Sequence, residues 1–120
     1  MKCQFVHQNF NVLDLEKSIA FYETNLGLTV QNRKKSADGS FELVFMGDGA
    51  TGFQLELTWL RDWKEPYNLG DNEIHLAVRV PDMEEARSFH REQGVICFEN
   101  VAMGIYFIED PDGYWIEIVR

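Results

Sequence analysis

The sequence predicts an α+β fold: two βαβββ repeats forming a cupped, mostly antiparallel half-barrel with its helices outside. Three observations lead there. Identical residues recur at a shift of 68, namely His7/His75, Val12/Val80, Asp14/Asp82, Glu16/Glu84 and Phe21/Phe89. Each copy has the same order: an alternating strand-like stretch, an amphipathic helical stretch, then three more alternating stretches. A length of 120 residues suits one domain, or two small halves sharing a core. A helix covers one face of each small sheet, so the other face must be buried against the second repeat.

The elements follow in order. Phe5 to Val12 alternates as a strand, with Val6, Phe10 and Val12 on one face and Phe5, His7, Asn9 and Asn11 on the other. Asp14 is placed to cap a helix whose apolar stripe is Leu15, Ile19, Tyr22 and Leu26, and Gly27 suits its end. Strands are expected near 28–33, 41–46 and 53–58, the first two separated by the turn at 34–39. The run Arg33-Lys34-Lys35 reads as a solvated turn. Repeat one thus covers about 3–58, and 59–72, broken by Pro66 and Gly70, is a connector. Repeat two covers about 73–120. It opens on the strand 74–80, with Ile74, Leu76, Val78 and Val80 on one face and His75, Ala77 and Arg79 on the other. Asp82, with Glu85 three residues on, resembles a capping box for a helix from Met83 to about Gly94. Strands near 95–99, 104–109 and 114–119 complete the repeat, the last entered through the tight turn Asp110-Pro111-Asp112-Gly113.

Composition removes several function classes. Acidic residues outnumber basic ones 20 to 11, a field that repels phosphate backbones, so no nucleic-acid partner is expected. No apolar run approaches the roughly 20 residues of a membrane span, and the strand-like start argues against a signal peptide. Cys3 and Cys97 form no paired framework; reduced thiols in a cytoplasmic protein are the expectation, Cys97 as a buried one.

Four residues carry the chemistry. In each repeat the first strand holds a histidine, His7 or His75, and the last a glutamate, Glu56 or Glu117. All four lie opposite the Val/Ile/Leu/Phe stripe, so they point into the cup. A carboxylate among residues that favour burial is costly unless a cation meets it. Two imidazoles and two carboxylates suit a divalent ion of borderline character, such as nickel, cobalt, zinc, iron or manganese. Four protein ligands on a six-coordinate ion leave two positions for water or substrate. Asn9, Asn11 and Arg79 share that face, either lining a polar ligand pocket or solvated at a groove mouth. Trp115 flanks Glu117 as a wall aromatic, while Trp59 and Trp63 either shield the groove or bury the connector.

The repeat, the opening VHQNFNVLDLEKSIAFYETNLGL, the GFQLELTW strand, NEIHLAVRV and the ending EDPDGYWIEIV resemble glyoxalase I, the lactoylglutathione lyase of the vicinal-oxygen-chelate superfamily. The resemblance covers essentially the whole chain. It implies that His7, Glu56, His75 and Glu117 are the metal ligands and that the metal is nickel, cobalt or zinc. Position 56 separates relatives: extradiol dioxygenases and metal-dependent fosfomycin-modifying enzymes do not use it, and methylmalonyl-CoA epimerases usually have Gln there. The implied reaction isomerises the hemithioacetal of methylglyoxal and a thiol, glutathione or another small one, through an enediolate to the S-lactoyl thioester. Glu117 is the expected base and Glu56 the other candidate. A homodimer is implied, often with each metal site shared between chains. The alternatives are another enzyme of the superfamily, an epimerase or dioxygenase, or a non-catalytic small-molecule binding module.

Three departures from the glyoxalase I pattern stand out. Asn11 occupies the place of an Arg that grips a carboxylate of glutathione, Leu60 the place of an Asn, and the segment after Gly94 is shorter. Arg79, the counterpart of Asn11 in the second repeat, is expected to take over the anion grip.

Overall fold

The computed structural model describes residues 1–120. The chain divides into two compact units, Met1–Tyr67 and Asn68–Arg120. Each is a βαβββ repeat of the expected α+β kind.

The first unit holds β1 (His7–Asn11), α1 (Leu15–Leu26), β2 (Thr29–Lys35), β3 (Phe41–Gly47) and β4 (Gln54–Leu60). Its sheet has the order β1-β4-β3-β2, with β1 parallel to β4 and the other pairs antiparallel. The second unit repeats this with β5 (Leu76–Arg79), α2 (Met83–Gln93), β6 (Ile96–Asn100), β7 (Ile105–Glu109) and β8 (Trp115–Val119). Its order is β5-β8-β7-β6, and only β5–β8 is parallel. Neither sheet closes into a barrel.

Both helices are delimited by the residues the sequence offers. Asp14 accepts a hydrogen bond from the Lys17 amide, and Asp82 accepts from the Glu84 and Glu85 amides. Gly27 and Gly94 end the helices in the left-handed conformation, at φ 65° and 70°. The core of each unit lies between helix and sheet. In the first, Phe10, Val12, Val44, Met46, Leu55 and Leu57 join Leu15, Ile19 and Tyr22 of α1. In the second, Tyr106, Ile108, Ile116 and Ile118 join Met83. His90 of α2 is also buried, its Nδ1 2.8 Å from the Tyr106 hydroxyl. Burial pushes that phenol up to about 12.

Two expectations need correction. Val6 and Ile74, assigned to the apolar stripes, are 60% and 91% exposed. The strands start later than the alternation suggests, at His7 and Leu76, so these two side chains precede the part of each strand that packs on the core. The run Arg33-Lys34-Lys35 is not a turn but the end of β2. Arg33 reaches Glu16 of α1 at 2.7 Å, and Lys35 lies 3.9 Å from Glu42, both on the helix side of the sheet. Lys34 therefore lies on the other side. Trp59 is aligned with Glu42 and so also falls on the helix side. Trp63 stacks on Tyr67 inside the connector, with centroids 5.5 Å apart.

No helix is long and apolar enough to cross a membrane.

Candidate metal centre

Strand parity puts the two expected glutamate ligands on the face opposite the core of each unit. On β4, Leu55 and Leu57 are buried in the core while Glu56 between them faces the opposite side. On β8, Ile116 and Ile118 do the same for Glu117. Within each unit a histidine meets the glutamate. His7 Nε2 is 3.3 Å from Glu56 Oε1, and His75 Nε2 is 2.9 Å from Glu117 Oε2.

The two pairs have one register. In the first unit Asn9 lies opposite Glu56, two residues after His7. In the second Ala77 lies opposite Glu117, two residues after His75. The glutamates are 13% and 18% exposed and the histidines 40% and 29%. The donors are therefore partly sheltered yet open on one side. The structure gathers them as pairs; no group of three or more His, Cys, Asp or Glu side chains is assembled at metal-binding spacing.

The donor chemistry of the second pair fits a cation. His75 Nδ1 is 3.0 Å from the Glu73 carbonyl oxygen, which can only accept, so Nδ1 carries a proton. A neutral ring then presents the Nε2 lone pair to a carboxylate oxygen, also an acceptor. Two acceptors at this separation need a positive species between them, a proton or a metal ion. Fixing of one ring nitrogen by a backbone carbonyl is also how ligating histidines are oriented.

One aromatic residue that sequence reasoning missed completes each pair. Phe45 lies opposite Glu56 and packs edge-to-face on His7, with centroids 5.7 Å apart. Phe107 lies opposite Glu117 and packs on His75 in the same way at 5.1 Å. They limit rotation of the imidazoles. Alternation gave a usable signal: Phe45 sits between the buried Val44 and Met46, and Phe107 between the buried Tyr106 and Ile108.

Around these shared parts the units differ. In the first, Thr58 donates to Asn9 Oδ1 at 2.5 Å, and the Asn9 amide donates to Asn11 Oδ1 at 2.7 Å. Gln54 donates to Gln31 at 2.7 Å, the Gln31 amide lying where a Cβ on Gly47 would be. In the second unit Trp115 stacks on Phe98 at 6.1 Å and tilts against Phe107 at 5.4 Å. Arg79 is exposed on β5, two same-face steps beyond His75, with no carboxylate in salt-bridge range. Cys97 is half-buried, and burial, with Glu109 adding to it, pushes its thiol up to about 11.

Residues 6–108 match the family described as the Glyoxalase/Bleomycin resistance protein/Dioxygenase superfamily. The chain belongs to that superfamily. Within this glyoxalase superfamily the chain is 36% identical over 124 residues to a lactoylglutathione lyase of Neisseria meningitidis, covering 98% of this chain and 90% of the relative. It is 32% identical to a probable lactoylglutathione lyase of Synechocystis, covering 96% and 93%. The trypanothione-dependent glyoxalase I of Leishmania major superposes with a TM-score of 0.82 at 29% identity, over 99% of this chain and 87% of that one. Glyoxalase I of Zea mays gives 0.83 at 27% identity, over 97% of this chain and 44% of that longer one. These relatives place the chain on the glyoxalase I side of its superfamily, among enzymes.

Proposed function

We propose that the protein is a metal-dependent lactoylglutathione lyase, isomerising the hemithioacetal of methylglyoxal and a small thiol to the S-lactoyl thioester. The observation that carries this is the duplicated His–Glu pair at one strand register, His7 with Glu56 and His75 with Glu117. A divalent ion, nickel, cobalt or zinc, would be held by these four side chains and would supply Lewis acidity at the substrate oxygens.

The remaining chemistry belongs to the chain. Glu117 takes the proton from C1 of the hemithioacetal and returns it to C2, with Glu56 as the other candidate base. The Glu73 carbonyl and Phe107 hold the His75 ring so that Nε2 stays aimed at Glu117. Phe107 lies opposite Glu117, with Phe98 and Trp115 packed on its ring, an apolar flank that would limit loss of the proton to water. Asn9 and Asn11 offer neutral amide contacts to the thiol conjugate.

Each unit contains one pair, so a full ligand set requires a second unit, from the same chain or from a partner subunit. The exposed apolar side chains Phe5, Val6 and Ile74 at the strand starts favour a homodimer. Two unpaired cysteines favour a cytoplasmic setting.

The deciding experiment loads purified protein with nickel, cobalt or zinc and mixes it with methylglyoxal and several thiols. Thioester absorbance is expected to rise with at least one thiol. Firm metal binding without turnover on any thiol would point instead to an epimerase or dioxygenase of the superfamily; no metal binding would point to a binding module.

Arg79 is the proposed anion grip on β5. Arg79→Ala is expected to raise KM for the glutathione hemithioacetal about tenfold, the scale of one charge-assisted hydrogen bond. Metal content should not change. An unchanged KM would remove Arg79 from the site.

A further inference from the structure

We infer that Lys34 is a second anion-binding residue of the site, taking a carboxylate of the thiol conjugate beside the His7–Glu56 pair. The chemical identity of the anion rests on the glyoxalase reading above; the position rests on the sheet alone.

Aligned residues on neighbouring strands share a face, so the first sheet presents its side chains in rows. One row is Asn9, Glu56, Phe45 and Asn32. The next is Asn11, Thr58, Leu43 and Lys34. Lys34 thus stands on the glutamate face, one row from Glu56 and at the far edge from β1. Its ammonium leans back over the Phe45 ring, 5.8 Å from the centroid. That ring in turn touches His7.

The neighbouring cations behave differently. Arg33 is 2.7 Å from Glu16, and Lys35 is 3.9 Å from Glu42. In a chain with 20 acidic residues Lys34 has no carboxylate within salt-bridge distance and rests on an aromatic face instead. A ring quadrupole positions an ammonium without cancelling its charge. The result is a full positive charge, held in place and available to a ligand. An extended tripeptide spans about 10 Å, so a thiol conjugate anchored near His7 has the reach to bring a carboxylate to it. The second sheet shows the same logic in mirror order. There Arg79 is aligned with Val119, and the unpaired cation is at the β5 edge.

The test uses titration calorimetry with S-hexylglutathione, an inert thioether bearing both carboxylates, and with its diethyl ester. Lys34→Ala is expected to weaken binding of the acid about tenfold, less so in high salt, and to leave the ester unaffected. Lys34→Arg should retain most of the affinity, and metal content should equal that of the wild type. Equal losses for acid and ester, or no loss for either, would overturn the assignment. So would a wild type that binds neither. Turnover of methylglyoxal hemithioacetals separates the two proposals: if the wild type turns over while Lys34→Ala leaves binding and KM unchanged, only the Lys34 assignment falls.

Discussion

Replacing Glu117 with Gln is expected to lower kcat for hemithioacetal isomerisation about a thousandfold, within the range that a positioned general base contributes. Gln keeps the size of the side chain and one acceptor oxygen but cannot take up a proton at neutral pH. Glu117 is 18% exposed, lies 2.9 Å from His75 and is fixed on β8 between two fully buried isoleucines, so the substitution should leave the fold intact. Glu56→Gln is the internal comparison. It removes the matching carboxylate at the same register, and it should weaken metal binding as Glu117→Gln does while costing less in kcat at saturating metal. The measurements are kcat against added metal and bound metal by elemental analysis. Equal kcat losses at full metal occupancy would deny Glu117 a distinct role as base.

Ile118→Ala is expected to destabilise the protein by about 3 kcal/mol, the cost of a large-to-small change at a buried site. Ile118 is fully buried opposite Glu117's face of β8 and is aligned with Tyr106, also fully buried. The loss should appear as a lower urea midpoint and a melting temperature reduced by about 10 °C or more. Metal affinity measured well below the transition should stay within a factor of a few. A loss under about 1 kcal/mol would mean that the cavity collapses or that this face of β8 is less tightly packed than the structure has it.

Much of this was legible in the sequence because the site depends on parity. Strand side chains alternate, so a glutamate between two buried residues has only one direction to take. Leu55-Glu56-Leu57 and Ile116-Glu117-Ile118 fixed both carboxylates without coordinates. Capping chemistry was legible for a similar reason, since Asp14, Asp82, Gly27 and Gly94 act through local backbone geometry. What escaped was set by pairing between strands. Phe45 and Phe107 matter because they lie opposite Glu56 and Glu117, and no single-strand pattern contains that register. Val6 and Ile74 continued the alternation but lay beyond the packed part of their strands, so pattern alone buried them wrongly.

Both sheets slip register by one residue, between Val30 and Asn32 in β2 and between Ile96 and Phe98 in β6. A single extra residue acts as a phase shift, exchanging odd for even side chains for the rest of the strand. In β2 it puts Arg33 and Lys35 on the helix side of the sheet and Lys34 on the face that carries Glu56. In β6 it brings Phe98 rather than Cys97 alongside Phe107, while the Cys97 sulfur is 3.5 Å from the Phe107 carbonyl oxygen. The bulge thus seats an aromatic ring, rather than a thiol, beside Phe107 on the face of the sheet that carries Glu117.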